Sequence, residues 1–387
     1  RDLFVPDFPC WWLIFIHPAS SRHSLAKAPD FCDFVAFWIE SPIPTDGDYY
    51  RISENIQDQT TSISPVSTED WPNELQRAMT FATLSQHDEA MDLVYTFRAR
   101  VDKHEVSERD RAIADLVEAW ILSDTGKEET ALRILQDRVL PVFERLGGVS
   151  LQAVTLGKMA EILRLHGEAE KALEAAKHAV EICEESAQSN PVMHEPHLAA
   201  SLNYLSTCYS ELGRREEALD AIQRAVEICE RLAAQKPDTF EPSLARSFNN
   251  LSNRLTELGR RERAWDAIHR AVEIYERLAE GWPKAYEPDL AMGLNNLSRS
   301  YIGLDEREEA LEASLRAVRI YDRLAAQSPK TFEPDLAMSL NNLSNCYSSL
   351  GQQEEALQTI QRTVEIRERL AEQRPDAFEP GLAMSLN

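Results

Sequence analysis

Residues 333–378 read EPDLAMSLNNLSNCYSSLGQQEEALQTIQRTVEIRERLAEQRPDAF, and this stretch decides the fold. Its opening Glu-Pro recurs at Glu195-Pro196, Glu241-Pro242, Glu287-Pro288, Glu333-Pro334 and Glu379-Pro380, a period of 46 residues without insertion. A fixed period of this length marks stacked supersecondary units that share one continuous core, so chain length does not set a domain count.

Within the unit, Leu336, Leu340, Leu343, Tyr347 and Leu350 follow a 4-3-4-3 spacing, the signature of a helix with one buried face. A second helical pattern follows, with Ala356, Ile360, Thr363 and Val364 on its inner side. Gly351 separates the two, and Gly167, Gly213 and Gly259 hold the same place in other copies, with Asp305 substituting in one. A chain reversal there needs a left-handed residue. Pro334 is expected to open the first helix and Pro375 to end the second. Ser206, Ser252, Ser298 and Ser344 pair across the hairpin with Ala218, Ala264, Ala310 and Ala356, where larger side chains would push the helices apart.

Residues Leu343-Ser344, Tyr347, Gly351, Ala356, Ile360 and Thr363 fall at the spacing of the tetratricopeptide repeat signature, and Leu205, Tyr209, Gly213, Ala218, Ile222 and Ala225 repeat it. Leu255 replaces the tyrosine in one copy, and Ser314 stands where a bulky residue is usual. The chain thus resembles a tetratricopeptide repeat protein. A period of 46 exceeds the usual value by about 12 residues, which is similar to the longer kinesin-light-chain type. The added residues are expected in the second helix and its exit. The resemblance implies an all-α fold, a right-handed α-solenoid of stacked antiparallel helix hairpins. It also implies binding of other proteins, as in motor adaptors and in arrays attached to signalling NTPases or caspase-like CHAT modules.

The expected organisation has three parts. Residues 1–70 form a poorly ordered aromatic and polar segment, and residues 71–148 form two divergent hairpins. Residues 149–387 form the array, as copies 149–194, 195–240, 241–286, 287–332 and 333–378 plus a truncated sixth. Residues 1–50 hold 11 of the 30 aromatics and suit a domain remnant, a docking peptide or mistranslated sequence alike. Residues 51–70 read as a Ser/Thr-rich linker. The start at Arg1 and the stop nine residues into a further copy read as a fragment, or as an imperfect gene prediction.

Charge and cysteine usage narrow the function. The net charge is −24, and residues 1–148 alone carry 14 Lys/Arg against 26 Asp/Glu, so both halves are acidic. No basic stripe is available for nucleic acid or an anionic membrane, and neither is expected as a partner. Cys10, Cys32, Cys183, Cys208, Cys229 and Cys346 lack metal-like spacing and read as free thiols of a cytoplasmic protein. The apolar run from Cys10 to Ile16 is too short to span a bilayer. No phosphate-binding loop or nucleophile elbow is present. His194-Glu195-Pro196-His197 lacks the HExxH spacing, and Pro196 is expected to open a helix there. No enzyme activity, cofactor or metal is therefore expected.

At about 100° per residue, Asn345 points away from the core-facing Leu336 and Leu343, with Asn341, Met338 and Ser348 flanking it. In a stacked array this face lines a concave groove. The corresponding residues are Asn203 and Thr207, then Arg246, Asn249 and Asn253, then Met292, Asn295 and Arg299. Asparagine offers both donor and acceptor to an extended peptide backbone, so these are the expected binding residues for a protein or peptide partner. Asn250, Asn296 and Asn342 lie to the side and are expected to be solvated or to brace neighbouring helices. The groove lacks the ordered cations of a carboxylate clamp, which disfavours a chaperone tail as ligand. The expected function is a non-enzymatic scaffold or adaptor; the alternative is the sensor region of a larger signalling NTPase or CHAT-type protease.

Overall fold

The computed structural model describes residues 71–83, 86–101 and 106–373. All of them lie in one compact unit, Thr60–Asn387. The aromatic segment, the linker and the truncated sixth copy fall outside the described residues. The described residues form an all-α solenoid of stacked antiparallel hairpins. The first two hairpins are α1 (Asn73–Thr83) with α2 (His87–Val101), and α3 (Glu108–Asp124) with α4 (Glu128–Ile134) and α5 (Leu140–Leu146). A π-helical turn, Leu135–Val139, joins α4 to α5 and absorbs Pro141, which has no N–H for the helical ladder.

The regular array follows as α6 (Val149–Leu165) with α7 (Ala169–Ser189), α8 (Pro191–Glu211) with α9 (Arg215–Gln235), and α10 (Pro237–Glu257) with α11 (Arg261–Gly281). It continues through α12 (Pro283–Gly303) with α13 (Arg307–Gln327), and α14 (Pro329–Ser349) with α15 (Gln353–Gln373). Each helix packs against its chain neighbours, and each first helix from α6 to α14 also packs on the first helix of the adjoining hairpin. First helices thus crowd together along one side, which makes that side the inner, concave one.

The hairpin turns form as their sequence requires. Gly213 has φ 72°, and the next residue, Arg214, closes the helix end by donating its N–H to Tyr209 O at 2.8 Å. Asp305 takes the same left-handed conformation, φ 64°, with its carboxylate accepting from Arg307 Nε at 2.8 Å. Across the hairpins, Ser206, Ser298 and Ser344 donate to the carbonyls of Ala218, Ala310 and Ala356 at 2.8, 2.8 and 3.0 Å. The small pair is held by a hydrogen bond as well as by size.

Two expectations about helix ends need correction. The entry prolines are Pro191, Pro237, Pro283 and Pro329, which are the first residues of their helices. The prolines of the Glu-Pro pairs, Pro196, Pro242, Pro288 and Pro334, lie inside those helices. Only one ladder bond is lost at each, close to an end that is already short of partners. The added length is also shared, since α12 and α13 both have 21 residues.

The glutamate of each Glu-Pro pair has a structural partner. Arg231, Arg277, Arg323 and Arg369 on the second helices pair with Glu195, Glu241, Glu287 and Glu333 at 2.7, 2.9, 2.6 and 2.7 Å. A second series ties successive second helices together: Arg224–Glu184, Arg270–Glu230, Arg316–Glu276 and Arg362–Asp322. These pairs are exposed, so each contributes only about 0.2–1 kcal/mol, but they fix the register of neighbouring hairpins.

Two further features depart from the regular pattern. Lys158 is only 2% exposed; it contacts Asp124 and Glu161 at 3.1 and 3.2 Å and lies 4.6 Å from the Trp120 ring. Ser314 is fully buried with its hydroxyl unpartnered, where neighbouring copies carry Ile222, Ile268 and Ile360.

Candidate functional site

The inner face presents Arg246 on α10, Arg299 on α12 and Met338, Asn345 and Ser348 on α14, all exposed. Ile302 and Met338 are 40% and 43% exposed and add apolar surface to this face. Arg299 Nη2 donates to Asn253 Oδ1 and Asn296 Oδ1, both at 2.7 Å, and so spans α10 and α12. Burial lowers the Arg299 pKa from its ordinary value, with Glu257 partly opposing that effect.

The expected asparagine ladder divides into two groups. Asn203, Asn249 and Asn295 sit between adjacent first helices, where their amides are used within the protein. Asn203 Nδ2 donates to Ala199 O at 2.9 Å and to Ser247 Oγ at 3.0 Å. Its Oδ1 accepts from Asn250 at 2.9 Å. Asn249 Oδ1 accepts from Asn296 at 2.8 Å, and Asn295 donates to Ser339 Oγ at 2.6 Å. Thr207 returns its hydroxyl to Asn203 O at 3.1 Å, on its own helix. Asn341 is half-buried, while Asn345 and Ser348 face solvent. The outward-facing positions are therefore one turn further along each helix than the bracing asparagines.

Two acids near this face, Asp289 and Asp335, are not revealed by helical phase alone. Arg246 of α10 is electrostatically coupled to Asp289 of α12. Burial is the largest single influence and lowers the Arg246 pKa, but Asp289, Tyr275, Tyr204 and Cys229 together more than offset it and raise the guanidinium above its ordinary value. Burial raises the Asp289 carboxyl, and Arg246 partly restrains the rise. Burial pushes the Asp335 carboxyl up to about 6. Tyr275 is 1% exposed, and its hydroxyl is unpartnered. The sequence signal for these acids is the residue after each Glu-Pro, which runs His197, Ser243, Asp289, Asp335 in otherwise similar copies.

An open hollow of about 690 Å³ also lies against α13, between Leu311, Leu315, Arg319 and the turn at Leu350 and Gln352. Among the described residues, no group of three His, Cys, Asp or Glu side chains could hold a metal ion, and no helix is long and apolar enough to cross a membrane.

Comparison with known proteins accounts for the architecture. Residues 198–235, 244–280 and 336–376 match the tetratricopeptide repeat family. No curated protein sequence matches the chain. Among solved structures, the Rap protein complexed with Competence and Sporulation Factor is similar at 16% identity and TM-score 0.53, over 76% of this chain and 75% of that one. A Signal Transduction ATPase with Numerous Domains from Pyrococcus horikoshii, with a tetratricopeptide repeat sensor, is similar at 15% identity and TM-score 0.51. That match covers 80% of this chain and 44% of the other. The repeats of a Podosopora anserina putative kinesin light chain match at 21% identity and TM-score 0.42, over 57% and 95% of the two chains. The likenesses to the Rap protein and the ATPase establish a shared fold.

Proposed function

We propose that this array of tetratricopeptide repeats is a non-enzymatic scaffold that binds a peptide or helix of a partner protein along its concave face. One observation carries the reading: successive first helices present Arg246, Arg299, Met338, Asn345 and Ile302 to solvent on the inner side, combining hydrogen-bonding groups with exposed apolar ones. Such a mixed, pre-formed surface suits an extended or helical ligand. The Rap protein, of the same fold, is known in complex with Competence and Sporulation Factor, which supports ligand capture by an array of this kind. Four free, buried thiols, Cys183, Cys208, Cys229 and Cys346, fit work in a reducing cytoplasm.

The test is selection from a displayed random-peptide library on the full chain. The substitutions Arg299→Ala, Met338→Ala and Asn345→Ala together should abolish retention of the selected peptides while the circular dichroism spectrum stays unchanged. Undiminished retention by the triple variant would rule the groove out.

A second reading draws on the likeness to the tetratricopeptide repeat sensor of the Pyrococcus horikoshii ATPase, of which this chain covers 44%. On that reading the array senses a ligand for a catalytic domain of a signalling NTPase or CHAT-type protease. Reading the coding sequence on both sides decides it; further repeats ending in a polar cap, with no catalytic domain, would exclude it.

A further inference from the structure

The hollow against α13 has a floor unlike the matching surface of any other copy. Leu311 and Leu315 lie half-buried at its centre, and Leu350 of the α14–α15 turn closes one wall. The α13 residues that line it recur every three or four positions, so they form one stripe of the helix. One copy earlier, the equivalent places hold Trp265 and His269, whose rings stack at 4.9 Å. Leu315 itself stands where the other second helices carry Lys177, Gln223, His269 and Gln361. An apolar side chain at this outward position is therefore particular to α13.

The two ends of the stripe carry opposite charge. Glu308 and Glu312 lie at its N-terminal end and Arg319 at its C-terminal end, all exposed. Among the described residues, none of the three has an ion-pair or hydrogen-bond partner. Glu216, the counterpart of Glu308, meets Arg260 at 3.2 Å, but Gln352 replaces that arginine here. Arg319 in turn replaces Glu181, Glu227, Glu273 and Glu365 of the other second helices. Only α13, among the second helices of the regular array, has an outer stripe that runs from acid to base. Its charged ends stand about 16 Å apart and flank the two leucines almost evenly.

We propose that the outer stripe of α13 is a self-association surface, which takes α13 of a second copy of this chain, antiparallel about a two-fold axis. An axis near residues 313–314 sets Glu308 of each copy beside Arg319 of the other, and the leucines against their own counterparts. The leucine ridge of one copy enters the hollow between α13 and the α14–α15 turn of the other, and apolar surface leaves water on both sides. The charge pattern selects a second copy because the same stripe, read backwards, matches both of its ends. The other second helices end in glutamate and would repel their own copies.

Sedimentation velocity of the full chain at rising concentration tests this, in about 0.15 M salt to screen the general repulsion between two acidic chains. The wild type should show a monomer–dimer equilibrium. Arg319→Glu, Glu308→Arg and Leu315→Gln should each weaken dimerisation about tenfold or more, with unchanged circular dichroism. An equimolar mixture of the Arg319→Glu and Glu308→Arg chains should dimerise like the wild type, because every charged end then meets its opposite. A wild type that stays monomeric up to about 100 μM would overturn the proposal. So would a dimer indifferent to these substitutions, or a mixture that associates no better than its two components. Should Leu315→Gln unfold, the two charge variants and their mixture decide the matter.

Discussion

Asn250 donates its side-chain amide to Asn203 Oδ1 at 2.9 Å, and one period later Asn296 donates to Asn249 Oδ1 at 2.8 Å. The paired asparagines of the repeat thus link each first helix to the next, and part of the polar ladder on the inner face is structural. Within a low-dielectric seam, a missing partner costs more than the bond is worth, because the group left behind is dry.

Asn249→Ala should therefore destabilise the array by about 1–2 kcal/mol, since it strips a buried acceptor from Asn296. Asn345→Ala, one turn further along the equivalent helix face and exposed, should stay within about 0.5 kcal/mol of wild type. Urea unfolding of the two variants, followed by circular dichroism, compares them directly. Equal losses would mean that the brace carries no special weight.

Asp305 pays for a left-handed backbone that glycine adopts freely at the other turns. Replacing it removes the Arg307 contact, but that pair is exposed and weak. Asp305→Gly should raise stability by about 0.5–1 kcal/mol. A lower melting midpoint would show that the Asp305–Arg307 pair outweighs the backbone strain.

The repeat, its hairpin turns and the serine–alanine crossings were legible in the sequence because each follows from local chemistry. Gly213 must reverse the chain, and Leu336, Leu340 and Leu343 must share a face. Helix starts were less legible, because each copy carries two prolines and both can stand near a helix N-terminus. Only the packing of the extended first helix shows that Pro329 opens it and that Pro334 lies inside. The site was partly legible for a related reason. A helical wheel orients Asn295 and Asn345 on one helix, but it cannot show that the adjoining helix closes over Asn295. Asp289 and Asp335 carry no helical-phase signal of their own, because they sit beside the Glu-Pro landmark and look like part of it.

Lys158 holds its ammonium group in a dry position between Asp124, Glu161 and the Trp120 ring, where the second hairpin meets the regular array. Removing the cation leaves two acids facing each other across that seam. Lys158→Ala should cost about 3 kcal/mol or more, whereas Lys171→Ala on an exposed pair should cost under about 0.5 kcal/mol. Thermal unfolding of both variants, read as a difference in stability, makes the comparison. A small loss at Lys158 would mean that the seam repacks around the cavity.

Asp335 gives the array a pH dependence opposite in sign to that of a salt-bridged acid. Burial raises its carboxyl to about 6, above its ordinary value of 3.8, so between these pH values the folded chain binds a proton that the unfolded chain does not. Stability from this group is fully present below about pH 4 and is lost as pH rises through about 6. Asparagine carries no charge to desolvate. Asp335→Asn should thus be neutral at pH 4 and stabilising by about 1–2 kcal/mol at pH 7, after allowing for solvent screening of a half-buried group. Urea denaturation of wild type and variant at both pH values isolates the difference from the many outer-face pairs, which titrate alike in the two proteins. A variant equally stable relative to wild type at pH 4 and pH 7 would show that the carboxylate already has a compensating cation.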